Sequence, residues 1–142
     1  MTEELVTLET AKLLKEKGFK EDVSVFYELV CEEGSYEYEL FESYDAQNYN
    51  ASVYSFSAPT QYIAQKWLRE NKNLHVLSTP KVVESYNKIG EVVKTEVEFY
   101  YWDIYVVGSN KHKHIIQNCF TNQFNTYEEA LEAGIREALK LI

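Results

Sequence analysis

Three histidines, two cysteines and an aspartate set among rings are the residues of this chain whose types could do chemistry, and their spacing decides how far each can go. His112-Lys113-His114 puts two imidazoles on the same side of a strand, a geometry suited to a divalent metal. Structural zinc takes four ligands and catalytic zinc usually three. His75 is the only other histidine and no carboxylate or cysteine is patterned around the pair, so the expectation is an exposed hairpin and no metal. Cys119 shares a predicted strand with both histidines but has the opposite parity, so it faces away from them and lacks a base. Asp103 interrupts Phe99-Tyr100-Tyr101-Trp102-Asp103-Ile104-Tyr105. A carboxylate buried among rings is one route to a general acid, yet no partner group accompanies it, and solvent or a bulge is its expected place. Lys66 and Arg69 flank Trp67, with Gln61 and Gln65 close by, a combination that could grip a phosphate. The five glycines are isolated and form no phosphate loop, so the simpler reading is a solvated helix face whose Trp anchors the core. No catalytic residue and no cofactor is expected.

What distinguishes the chain is its charge pattern. Between Lys20 and Lys66 there is no Lys or Arg, while nine acids and seven of the 12 tyrosines fall in that interval. Residues 1–50 hold 13 acids against four lysines, and residues 51–142 hold ten of each, so the formal charge of −9 belongs to the first third. Such segregation bears on partners and encounter rates rather than on fold. Glu37 and Glu39 share one strand face and Tyr36 and Tyr38 the other, which predicts a carboxylate ridge backed by rings. The candidate partner-binding residues are Tyr36, Glu37, Tyr38, Glu39, Glu42, Tyr44 and Asp45. A pI near 4.8 argues against direct binding to nucleic acid or to anionic membrane.

These residues must be held by an ordinary globular domain. The chain has 142 residues, 45% hydrophobic and 26% charged, with no membrane-length apolar run and no signal-peptide pattern at its start, so a cytoplasmic protein with two reduced, buried thiols, Cys31 and Cys119, is expected. Helical spacing of Leu5, Leu8, Ala11 and Leu14, closed by Gly18-Phe19, predicts a helix over 3–17. Alternation predicts strands from Val23 to Cys31 and from Tyr36 to Leu40 around a turn at Glu33-Gly34-Ser35. Residues 43–57 form either a long loop or an irregular strand around Val53–Phe56. Ser57-Ala58-Pro59-Thr60 starts a second helix with a proline in its first turn, a buried stripe of Ile63, Ala64, Trp67 and Leu68, and an end at Asn71-Lys72-Asn73.

A short strand, Leu74–Ser78, then precedes a meander of Val82–Tyr86, Val92–Val107 and His114–Thr121, with turns at Asn87-Lys88-Ile89-Gly90 and Gly108-Ser109-Asn110-Lys111. The middle strand is long enough to require a bulge or bend. Thr126 and Glu129 make a capping box for a last helix whose apolar face is Leu131, Ile135, Ala138, Leu139 and Ile142, with Gly134 marking close approach to the sheet. The architecture expected is one α+β domain over 1–142, a mostly antiparallel sheet made of an N-terminal hairpin and a C-terminal meander, packed against about three helices.

SAPTQYIAQKWLRENKNLHV at 57–76, FNTYEEALEAGIREALKLI at 124–142 and LETAKLLKEKGF at 8–19 resemble recurrent blocks of a group of short uncharacterised proteins of gut Bacteroidetes and of their tailed phages and mobile elements. The resemblance implies an accessory protein acting inside the host bacterial cell and carries no assigned activity, cofactor or catalytic residue. Charge and tyrosine density together predict a non-enzymatic binding protein whose acidic hairpin engages a basic host protein. The rival readings are a small-molecule-binding domain or small enzyme with an aromatic pocket near Asp103 and His114, and a structural virion component. A homodimer through the aromatic second half of the strand at 92–107 is also predicted, because rings point both ways along it.

Overall fold

Local sequence fixes the helix ends before packing acts. In the computed structural model, which describes residues 3–108, 113–115 and 122–142, α1 spans Leu8–Glu16 and is capped by Thr7, whose side chain accepts from Thr10 N. It closes on a two-bond left-handed stop. Gly18, at φ +94°, donates to Lys15 O, Phe19 N donates to Leu14 O, and the Phe19 ring is buried against the end. The helix predicted from residue 3 is therefore shorter. Residues upstream of the Thr7 cap run extended, with Val6 N donating to Pro59 O and Gln61 N to Glu4 O.

The second helix, α2, spans Gln61–Lys72 and is capped by Thr60, which accepts from Ile63 N at 3.3 Å. Ser57 is thus not the cap and Pro59 lies ahead of the first turn; Ser57 instead ends strand β3, Ser55–Ser57. Asn73 stops α2 in the left-handed region at φ +55°. The last helix, α3, spans Tyr127–Lys140, and the Thr126 side chain accepts from Glu129 N as the capping box predicts.

Six strands among the described residues form two three-stranded antiparallel sheets rather than one. In the first, ordered β2-β1-β3, β1 (Val23–Glu32) and β2 (Ser35–Gln47) meet at a two-residue turn, Glu33-Gly34, with both residues at positive φ as a right-twisted hairpin requires. β2 runs past its predicted end at Leu40. The ladder shifts between Val25↔Glu42 and Val23↔Gln47, so that 43–46 on β2 lie opposite Ser24 alone, and a short 3-10 turn, Tyr49–Ala51, leads to β3.

The second sheet is ordered β4-β5-β6, with β4 at Leu74–Tyr86, β5 at Val92–Val106 and β6 at Lys113–Ile115. β4 is one strand where two were predicted. Pro80 pairs with Tyr100, whose N–H and C=O both bond to Phe124 on the far side, so the missing proline N–H points to the open edge and no ladder bond is lost. The bend expected in β5 is present: Lys81 pairs with Phe99 and Val82 with Val97, so Glu98 is the extra residue. Residues 109–111 of the expected turn, residues 116–121 of the expected strand, and with them Cys119, lie outside the described residues.

One apolar core joins both sheets and all three helices. It contains Val6, Leu14, Phe19, Val23, Leu68, Val76, Ile104, Ile135 and Leu139, which makes the chain a single α+β domain. α3 lies close on the second sheet: a Cβ on Gly134 would come within 2.8 Å of Trp102 Cβ and of Val76 Cγ1. Trp102 and Ile104 are therefore core, Phe99, Tyr100 and Tyr101 are half-buried, and Tyr105 is exposed. Ile142, expected on the apolar face, is also exposed. Both hairpins outrun their third strands. β3 pairs β1 only at Phe26, Tyr27 and Glu28, and every residue from 31 to 37 is exposed. Cys31 sits in that uncovered ribbon opposite Tyr36 and is an exposed thiol, not the buried one expected.

Candidate protein-binding surface

The hairpin register decides which acids meet. Cross-strand partners share a face, and the ladder pairs Glu28 with Glu39 and Val30 with Glu37 on one face. On the other it pairs Cys31 with Tyr36, Leu29 with Tyr38 and Tyr27 with Leu40. The ridge expected from Glu37 and Glu39 thus has a third member, Glu28, which the sequence reading missed. A turn fixed at Glu33-Gly34 places residue 28 opposite 39, so the signal was available once the turn type was chosen. Like charges directly across a ladder are unfavourable. Among the described residues the ion pairs are Glu16–Lys17, Lys94–Glu96, Glu9–Arg136 and Glu137–Lys140, and none reaches the ridge.

The remaining candidate residues divide. Tyr36 is 69% exposed and Tyr44 fully so. Tyr38 is half-buried, its ring 5.3 Å from that of Phe56 and 5.1 Å from Lys12 Nζ of α1, so it backs the surface rather than lining it. Glu42 pairs with Val25 and turns to the ring-bearing face, while Tyr44 and Asp45 belong to the extra residues at the shift. The surface is a ribbon with Glu28, Glu37 and Glu39 on one side, beside the stacked rings of Phe26 and Phe41, and with Tyr27, Tyr36, Tyr38 and Glu42 on the other. An open hollow of about 510 Å³, lined by Glu32, Glu33 and Ser35, lies at its tip.

Other sequence candidates resolve into scaffold. Trp67 is buried edge-on to Phe19 at 5.6 Å, Gln65 donates to Val76 O, and Gln61 is buried against α3, so no joint phosphate grip forms with Lys66 and Arg69. Asp103 is buried, not solvated, and accepts from Thr79 Oγ1 at 2.8 Å. Burial first, then the neighbouring Asp103 and Tyr105, push the Tyr101 phenol upward. Register sets His114 beside Tyr105; His112 lies outside the described residues. Among the described residues no group of three or more His, Cys, Asp or Glu is placed to hold a metal.

A second buried carboxylate escaped notice in the sequence. Glu132, on the inner side of α3, accepts at Oε1 from Thr7 N (2.9 Å), Thr7 Oγ1 (2.8 Å) and Thr10 Oγ1, and at Oε2 from Gln61 Nε2 (3.1 Å). It sits at the N-terminus of α1, where the exposed N–H and the helix dipole favour an anion. An open groove of 650 Å³ runs beside it, lined by Leu5, Phe124, Glu128 and Arg136 among others. Burial and then the Glu132 charge raise the Tyr27 phenol, whose hydroxyl donates to Val6 O at 3.0 Å. With its oxygens held by four donors, Glu132 is a clasp between α3, α1 and α2. Its position three residues before Ile135 and seven before Leu139 was the available sign of an inward-facing acid.

Compared with known protein families, curated proteins and solved structures, the chain matches none. Among the described residues no helix is long and apolar enough to cross a membrane.

Proposed function

We propose that this is a non-enzymatic accessory binding protein, of the phage or mobile-element kind that its sequence blocks resemble, acting in the host bacterial cytoplasm on a basic protein surface. The observation that carries the reading is the ridge of Glu28, Glu37 and Glu39, exposed on one face of the β1–β2 hairpin with no ion pair to any of the three among the described residues. Retaining opposed like charges costs stability, and a basic partner turns that cost into affinity and steering. Exposed Tyr36 and Tyr44 supply rigid contact area at the margin.

The test is capture from host lysate on immobilised protein at low and at high salt. A basic protein retained at low salt, released by salt and lost with the triple variant Glu28→Gln, Glu37→Gln, Glu39→Gln is expected. Retention of no basic protein, or retention unaffected by the triple variant, rejects the reading. The small-molecule rival has one observation in its favour, the burial of Asp103 among aromatic residues of β5. A thermal-shift screen with metabolites and nucleotides separates the two: stabilisation by a compound, abolished by Asp103→Asn, would favour the rival.

A further inference from the structure

The two sheets treat their open edges differently. β4, the outer strand of the second sheet, carries Pro80 with its missing N–H turned outward and Lys81 beside it, two devices that block another strand from adding on. β2, the outer strand of the first sheet, has neither. It pairs with β1 in unbroken register from Ser35 to Glu42, contains no proline, lysine or arginine, and has no strand on its outer side among the described residues. Along Ser35–Glu42, before the irregularity at 43–46, only carboxylates guard it. They repel a second copy of this acidic strand but attract a cationic one.

We infer that the basic partner binds by strand addition, laying an extended segment along the outer edge of β2. The inference rests on the reading above and specifies its mode. Side chains of an added strand alternate between faces in step with β2. One set would therefore lie beside Glu37 and Glu39, with Glu28 one strand further in, and the other set beside Tyr36, Tyr38 and Leu40. The occupant is accordingly a segment with Lys or Arg at every second position and apolar residues between them. Backbone hydrogen bonds would supply affinity, and the charge row would set register and exclude self-pairing.

Two synthetic peptides of identical composition test this by fluorescence anisotropy at low salt. One alternates, Lys-Val-Arg-Val-Lys-Val, and its isomer is blocked, Lys-Arg-Lys-Val-Val-Val. Two further versions of the alternating peptide carry backbone N-methyl groups on one edge or on the other. The expected result is at least tenfold tighter binding of the alternating peptide than of the blocked one. N-methylation of one edge should abolish binding and that of the other leave it, and Glu37→Gln with Glu39→Gln should weaken it. Equal binding of both isomers, indifferent to N-methylation, would overturn strand addition and leave the basic-partner reading standing. Absence of binding by every basic peptide would overturn both.

Discussion

At the scale of single residues, the domain turns on positions where one atom more or less decides the sign of a change. Alanine in place of Gly134 would gain roughly 1 kcal/mol of helix propensity. Its Cβ would meet Trp102 Cβ and Val76 Cγ1 at 2.8 Å, and neither atom is the far end of a flexible chain. Overpacking costs about 1–3 kcal/mol, so Gly134→Ala should lower the urea midpoint of unfolding; a raised midpoint would show that α3 can lift away freely. Glu132→Ala strips the acceptor from Thr7, Thr10 and Gln61 at once, and a loss of about 2–4 kcal/mol is expected by the same measurement. Tyr27 supplies a pH dependence. Its folded phenol is raised by burial and by Glu132, so its contribution is whole below the unfolded value of 10.0 and is lost as pH climbs through the folded one. Stability measured by denaturant should fall above about pH 10, and Tyr27→Phe should flatten that fall while costing about 1 kcal/mol at neutral pH through the lost bond to Val6 O.

At the scale of elements, the hairpin sets stability against function. Glu39→Lys would replace the repulsion across the ladder from Glu28 by attraction and should stabilise the fold by about half a kcal/mol. The same change should weaken capture of a basic partner. A variant both less stable and fully binding would contradict the ridge. The stops at Gly18-Phe19 and Asn73 and the cap at Thr126 were the most legible features, because they act through local backbone geometry, whereas the starts of α1 and α2 lie five and three residues beyond where they were expected. Strand extents were least legible. β2 continues past Leu40 because Phe41, Glu42 and Gln47 pair with β1 despite a weak local pattern, and β4 survives Pro80 because the ladder there needs nothing from residue 80. The acids of the ridge were readable by type and spacing, but Glu28 needed the register. Glu132 was hidden because its donors lie on other elements far away in the chain.

At the scale of the whole molecule, an excess of nine negative charges concentrated in the first 50 residues makes association an ionic-strength experiment. The association rate with a basic partner should fall at least tenfold between about 20 and 500 mM salt by stopped flow while the dissociation rate changes far less; a flat association rate would remove the steering argument. The sequence did not show that the strands would split into two sheets over one core, since that depends on which faces α1 and α3 cover. The Glu132 clasp also bears on how the protein is made. It joins Thr7 to a residue 125 positions later, so α1 waits for its anchor until residue 132 has been synthesised. A nascent chain stopped before residue 132 would present the acidic hairpin and an unfinished core together. Mutual repulsion between the acidic segments of residues 1–50 would then be what keeps unfinished chains apart on a crowded polysome, so the charge that steers a partner would also shield the fold while it is incomplete.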